Sequence, residues 1–296
     1  KLLGGCSSIN GTMYIRGAAA DYDAWRDAGH AGWSYEDVLP LFRRSEANWR
    51  GAGAYHGGDG EMDISPMQPD PELFPRFMET ARALDLPECP DFNLPQPEGF
   101  GIPDCTIRKG RRASTMRAFI DPVAGRRNLS VLAGCAVRRV LLEGGRAVGV
   151  ELERGGELRD IRCRREVVLS AGAFGSPQIL MLSGVGPAAA LQEHGIPVAA
   201  DLPGVGRNLQ DHPIAMALYK SAVGIEFNRQ IRLDKLLWNV VRWELSGKGA
   251  LSQSPMSIQG FVRSGDDQDR PDLQFQIVHS GYDARPWFPG WRKPPM

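Results

Sequence analysis

The chain has 296 residues, with 35 basic and 35 acidic side chains and no formal net charge. A hydrophobic share of 42% and a charged share of 24% are those of a globular protein with a sizeable core, either one large domain or two ordinary ones. The balance of charge excludes a nucleic-acid footprint or a membrane-seeking surface as an organising feature, and no apolar run reaches transmembrane length.

Residues 1–17 read as a Gly/Ser-rich loop entering an apolar stretch. Residues 18–50 read as two short helices. Asp21 or Asp23 caps the first, and Ser34, with Asp37 three residues on, caps the second as a capping-box variant. After Tyr55 the run HGGDG is a turn cluster, and Glu61–Ile64 is a short strand. The prolines from Pro66 to Pro103 leave room for one helix, Glu72–Leu84, with Leu73, Phe77 and Leu84 on a similar face. The basic run Arg108, Lys109, Arg111 and Arg112 reads as a solvated loop.

Residues 113–123 read as helical up to Pro122, and Leu129–Leu132 as a short apolar strand. Three strands follow, Val137–Glu143, Arg146–Glu153 and Glu157–Cys163. Gly144-Gly145 and Gly155-Gly156 join them as tight turns, so an antiparallel meander is expected. Glu166–Ser170 (EVVLS) reads as a buried parallel strand. It leads through the Ala171-Gly172 turn into a helix with Ser176 at its N-cap, Pro177 in its first position and Gly184 as its stop. Residues 216–296 mix a helix near Leu233–Leu245 with strands such as Leu273–Val278. The chain opens on Lys1 and closes in the Pro-rich GWRKPPM, so both ends are expected to be cuts through a longer protein.

Five scattered cysteines (Cys6, Cys89, Cys105, Cys135, Cys163) form no CxxC pair. They argue against a disulfide framework and a zinc site and suit a reducing, cytoplasmic setting. His30, His56, His194, His212 and His279 show no metal-ligand spacing, and a turn histidine such as His56 reads as a structural hydrogen-bonder. No GxSxG elbow is present, which counts against hydrolase chemistry.

Three glycine-containing segments could carry chemistry. In Gly4-Gly5-Cys6-Ser7-Ser8-Ile9-Asn10-Gly11 the paired glycines permit close backbone approach, and Ser7, Ser8 and Asn10 offer donors; an ordinary loop has the same composition. Gly172–Gly186 places a helix start behind a strand and a turn, a geometry that suits an anion or a nucleotide and also occurs in many folds without one. GVGRNLQDHP at 204–213 resembles GxGxxG only superficially, lacking the last glycine and a preceding strand.

Taken in order, these segments resemble the glucose–methanol–choline (GMC) oxidoreductase family. LLGGCSSINGTMYIRG is similar to its first signature and GAFGSPQILMLSGVGP to its second. DYDAW, GWSYEDVLPLFRRSE, YHGGDGEMDIS, RASTMRAFIDP with RRNLSVL, and PGVGRNLQDHP match the text between and after them, and the bacterial choline dehydrogenase-like branch is most similar.

The resemblance implies an α/β fold with mixed α+β elements. One part is an incomplete FAD-binding domain of the Rossmann type carrying the meander (1–65 and 113–215); the other is part of a substrate domain (66–112 and 216–296). It implies FAD, held non-covalently because Ile9 and Asn10 stand where some relatives carry a flavin-attaching histidine. By the same likeness Leu2, Gly4, Gly5, Ser7 and the backbone of Asn10, Gly11, Thr12 and Met13 meet the flavin. Val137 meets the adenine, Ala171 and Gly172 the ribose, and Asp211 and His212 the flavin edge. Cys6 replaces the family's usual serine.

The implied reaction is oxidation of a primary, choline-like alcohol by hydride transfer to flavin N5, with the electron acceptor open and no nucleic-acid or membrane partner. The family's GxGxxG unit and its catalytic histidine segment do not fall within these residues, so no catalytic residue is assigned. Two alternatives stay open: an FAD-containing hydroxynitrile lyase, and a non-catalytic fragment. Trp238, Trp243 and Phe261 are candidates either for the substrate wall or for ordinary core packing.

Overall fold

The computed structural model describes residues 2–219, 233–252, 254 and 256–278, and its contacts divide the chain into two units, 1–129 with 217–296 and 130–216. The first unit begins with a 3-10 turn at Gly5–Ser8 and a short strand, β1 (Met13–Tyr14). Helix α1 (Ala19–Asp27) is capped differently from expectation: Ala18 holds the N-cap position, and Asp21, three residues in, accepts the Ala18 N–H at 2.9 Å. Asp23 instead accepts the N–H of Tyr35, the first residue of α2 (Tyr35–Ser45). There the capping box is as expected: Ser34 Oγ accepts the Asp37 N–H at 3.2 Å, and Asp37 Oδ2 accepts the Ser34 N–H at 3.1 Å.

Strands β2 (Glu46–Asn48) and β3 (Met62–Pro66) pair in parallel, and helix α3 (Leu73–Ala83) follows with Met78 and Ala81 buried. Strand β4 (Gly99–Gly101) precedes β5 (Asp104–Cys105), which lies antiparallel between β1 and β3. The basic run is not a loop. It forms a hairpin, β6 (Ile107–Arg108) with β7 (Arg111–Arg112), turned by Lys109 and Gly110, both at positive φ. The helical stretch expected at 113–123 is a π-turn at Met116–Ile120 running into a 3-10 turn at Asp121–Val123, with Pro122 inside the latter. Leu129–Leu132 forms no strand.

The second unit carries the meander, β8 (Ala136–Glu143), β9 (Arg146–Arg154) and β10 (Glu157–Arg162), antiparallel in the order β10-β9-β8. Both double-glycine turns hold their two residues at positive φ, which matches the twist of the flanking strands and is strained for other residue types. Glu166–Ser170 is not a strand: no partner is hydrogen-bonded to it among the described residues, and Val168 is 75% exposed. An apolar run without a neighbouring ladder has nothing to satisfy its backbone in a sheet.

Helix α4 (Gly172–Leu182) starts earlier than Ser176. Ser176 therefore lies inside the helix, its Oγ accepting the Ala171 N–H at 2.9 Å, and Pro177 is interior as well. Gly184 stops the helix as expected, at φ +83°. Ser183 Oγ accepts the Val140 N–H at 2.8 Å and ties α4 to β8. Strand β11 (Val185–Gly186), helix α5 (Ala188–Glu193) and strand β12 (Ala200–Asp201) complete the unit, with β11 and β12 parallel.

Back in the first unit, helix α6 (Leu233–Ser246) matches its expected span, and Leu273–Val278 is a strand, β14, antiparallel to β13 (Met256–Val262). β13 also pairs with β4, so a single sheet joins residues 99–101 to residues 256–278. Met78, Phe100 and Ile258 form the core there, with Phe74, Phe77, Leu86, Val262 and Ile277 packed around them. Phe261 meets Phe92 edge-on at 5.7 Å. Trp243 donates to Gly110 O at 2.7 Å and stacks under Arg111, while Trp238 is exposed. His279 and the residues after it lie outside the described part. Among the described residues no helix is long and apolar enough to cross a membrane.

Candidate functional site

The loop before β1 is built on backbone that few residues tolerate. Gly4 sits at φ +85°, a left-handed conformation that favours glycine, and a Cβ there would lie 2.5 Å from Ser8 Oγ and 3.3 Å from the Met116 backbone nitrogen, so the space is tight as well. Ser7 Oγ donates to Gly4 O and accepts the Thr115 N–H at 3.0 Å; Thr115 Oγ1 also reaches Gly4 O. Ser8 Oγ donates to Leu3 O at 2.7 Å. Arg112, at the end of β7, donates to Ser7 O at 3.2 Å and to Asn10 Oδ1 at 2.7 Å.

Thr12 is buried at φ +64°, an outlier for a β-branched residue that the surroundings impose. Its N–H donates to Asn10 Oδ1 at 3.1 Å, and its carbonyl accepts the Thr106 N–H at 2.8 Å. The chain between them is thereby pulled into a bend that leaves Asn10 and Gly11 exposed. The Gly11 N–H has no acceptor among the described residues. So of the sequence-expected residues, Gly4, Gly5, Ser7, Asn10, Gly11, Thr12 and Met13 form one continuous, side-chain-braced loop, and Leu2 precedes it, exposed.

In the second unit, Ala171 and Gly172 open α4. Gly172 is at φ +84° with nothing within 4 Å of the Cβ position, and no side chain caps the first turn. The first turn of this helix carries the positive end of the helix dipole without a side-chain cap. Val137 lies in β8 opposite Leu152, 38% exposed. Asp211 and His212 follow a turn at 203–206 in extended, exposed chain; the His212 N–H donates to Asp211 Oδ1 at 2.8 Å, and no helix follows the GVG turn.

Residues 1–214, which include both segments, match the family described as GMC oxidoreductase. The chain belongs to the GMC oxidoreductase family. It is 40% identical over 300 residues to the oxygen-dependent choline dehydrogenase of Photobacterium profundum, a match covering 98% of this chain and 52% of that protein. Its fold is similar to an FAD-dependent oxidoreductase from Chaetomium thermophilum, with a TM-score of 0.76 and 27% identity over 86% of this chain and 48% of the other. Pyridoxine 4-oxidase from Mesorbium loti gives a TM-score of 0.70 and 27% identity, covering 91% and 48%. The chain spans about half the length of the relatives it matches.

This GMC chain also holds a buried polar network in which only His56 was expected from the sequence to be a structural hydrogen-bonder. Arg16, two residues after β1, donates through Nη2 to Glu46 Oε1 at 2.6 Å and through Nη1 to Tyr55 O at 2.7 Å, with its guanidinium over the Phe42 ring at 5.1 Å. Glu46 Oε1 also accepts the Gly57 N–H at 2.8 Å and lies 3.1 Å from His56 Nδ1; His56 Nε2 lies 2.7 Å from Asp91 Oδ2. Asn93 Oδ1 accepts the Arg16 N–H at 2.9 Å, and Asn93 Nδ2 reaches Tyr14 O. His56 is thus the structural hydrogen-bonder its turn context suggests.

The network pins the strand that follows the loop, from the side opposite to Arg112 in sequence. Burial pushes the Tyr14 phenol up to about 12, with Arg16 opposing and Glu46 adding to the shift. Burial also drives Asp91 upward, but hydrogen bonds from His56 and the Asn93 N–H, with the charge of Arg50, overcome it and hold the carboxyl below its usual range. At Asp104 burial prevails over the hydrogen bonds from Trp49 and Arg50, and the carboxyl is raised. Burial raises the Cys89 and Cys105 thiols, which keeps them protonated and unreactive. In sequence, Arg16 lies inside TMYIRG and Glu46 just after α2, thirty residues apart and with no local pattern that links them. Neither residue is near its partner along the chain, so only proximity in space reveals them.

Proposed function

We propose that this chain is the flavin-handling and part of the substrate-handling portion of an FAD-dependent oxidoreductase that oxidises the CH–OH group of a primary, choline-like alcohol. The observation that carries the reading is the Gly4–Met13 loop: strained at Thr12, braced by Ser7, Thr115 and Arg112, and left with an unpaired, exposed N–H at Gly11. A loop so constrained offers fixed backbone donors to a flat acceptor, and membership of the GMC family names that acceptor as a flavin.

The residues present fit FAD. The loop would lie along the isoalloxazine through Leu2, Gly4, Gly5, Ser7, Asn10, Gly11, Thr12 and Met13. Ala171 and Gly172, at the start of α4 where no side chain caps the helix, would meet the ribose with the positive end of the helix dipole behind them. Val137 would meet the adenine, and Asp211 and His212 the flavin edge. No histidine stands in the loop, which supports a non-covalent attachment. When bound, FAD supplies the hydride acceptor. The chain's own contribution is to hold the ring and to place hydrogen-bond donors where negative charge grows on reduction.

The division that accompanies this reading gives 1–65 and 113–215 to flavin binding and 66–112 and 216–296 to the alcohol. The sheet shared by β4, β13 and β14 supports grouping the second pair of segments. Phe261 and Trp243 pack within the first unit, which favours the core role over the substrate wall for both. The electron acceptor is left open, and a cytoplasmic location accords with the free thiols. The test is direct. The protein at its natural length should purify yellow, release FAD on denaturation, and reduce a dye with choline or another primary alcohol. A colourless protein, or a flavoprotein that splits mandelonitrile without reducing dye, would overturn the assignment.

A further inference from the structure

Asn10 sits between two donors. Its Oδ1 accepts the Thr12 N–H at 3.1 Å and the Arg112 Nη1–H at 2.7 Å. An amide turned the other way would set its NH2 group against both donors, so one orientation is imposed. The Nδ2 group therefore faces away from Arg112, on a residue that is exposed, and it has no acceptor among the described residues. The N–H of the next residue, Gly11, likewise has no acceptor among the described residues.

Arg112 is itself held in place. Nη1 spends one hydrogen on Asn10 Oδ1 and the other on Ser7 O at 3.2 Å, the Arg112 carbonyl accepts from Arg117 Nη1 at 3.2 Å, and β7 pairs Arg112 with Ile107. Resting on the flavin reading above, we propose that Arg112 is a positioning residue: by clamping Asn10 Oδ1 it turns the Asn10 side-chain NH2, alongside the Gly11 N–H, toward the flavin rim as a donor for the charge that develops on reduction. This adds a side-chain donor, and the residue that aims it, to the backbone contacts expected of the loop. A donor fixed in advance favours the reduced, more negative flavin over the oxidised one without reorganisation.

The test uses the full-length holoprotein and three variants, reading FAD affinity by fluorescence quenching, the two-electron midpoint potential by spectroelectrochemistry, and thermal unfolding. Asn10→Asp keeps an acceptor for Thr12 and Arg112 but replaces the outward NH2 with a carboxylate oxygen. It should favour oxidised over reduced flavin by about tenfold or more, a fall of ~30 mV or more, with unfolding unchanged or raised. Arg112→Ala should lower the potential in the same direction, and Arg112→Lys, which restores one donor, should recover part of the loss. A holoprotein that binds FAD while Asn10→Asp and Arg112→Ala keep the wild-type potential overturns the proposal alone. Loss of thermal stability in Arg112→Ala with an unmoved potential in Asn10→Asp assigns Arg112 to folding and overturns it as well. A wild-type protein that binds no FAD brings down the underlying reading together with the proposal.

Discussion

Arg16 and Glu46 meet at 2.6 Å with side-chain exposures of 2% and 0%, thirty residues apart in sequence and sealed from solvent. Two charges taken this far from water are held only by each other and by the groups around them. Glu46 gives Oε1 to Arg16, to the Gly57 N–H and toward His56; Arg16 adds Tyr55 O and the Phe42 face.

Removing one member should therefore cost far more than removing a surface pair. Glu46→Ala leaves a buried guanidinium uncompensated and is expected to lose about 3–5 kcal/mol in chemical denaturation. The double replacement of Arg16 by Met and Glu46 by Leu should lose less than Glu46→Ala alone, because no bare charge stays inside. A single variant within about 1 kcal/mol of wild type would show that the pair carries no net weight.

Asp91 sets an acid limit. Its folded-state carboxyl is held below the ordinary value, so the stability it contributes is present above the unfolded value of about 3.9 and is lost as pH falls through the lower folded value. The stability gap between wild type and Asp91→Asn should be full at pH 5 and shrink steadily toward pH 2. Denaturation curves across that range check it; a gap that stays constant with pH would mean that Asp91 carries no charge-dependent stability.

Tyr14 sets an alkaline limit in the opposite sense. Its folded-state phenol titrates at about 12, above the unfolded value of about 10. The stability tied to the neutral phenol is intact below pH 10 and drains away as pH rises toward 12. Tyr14→Phe should flatten the stability profile across that window, and the spectrophotometric tyrosine titration should lose one late-ionising group.

Gly57 and Gly53 make a paired test of close backbone approach. A Cβ on Gly57 would sit 1.7 Å from the Arg43 carbonyl oxygen, whereas on Gly53 it would meet nothing within 4 Å. Gly57→Ala is expected to cost about 3 kcal/mol or more, and Gly53→Ala to stay within about 0.5 kcal/mol, as read by thermal unfolding. Equal melting temperatures for the two variants would contradict the tight packing of the Gly57 turn against the end of α2.

What could be read along the chain was whatever a few neighbouring residues decide among themselves. The Gly-Gly turns selected the meander through their positive φ, Ser34 and Asp37 closed their capping box, Gly184 stopped α4, and the alternating LQFQIV became β14. The loop of the first signature was legible as a unit because its glycines and small polar residues are contiguous. Tertiary structure decided the rest. EVVLS had strand composition but no hydrogen-bonded neighbour, and Ser176 lost the N-cap to a helix that begins at Gly172. Arg112 looked like one charge in a solvated run until the β6–β7 hairpin brought it, 102 residues away in sequence, onto Asn10. Arg16, Glu46, His56 and Asp91 carry no local pattern, since burial and pairing between distant residues are properties of the folded chain and leave no period or spacing behind.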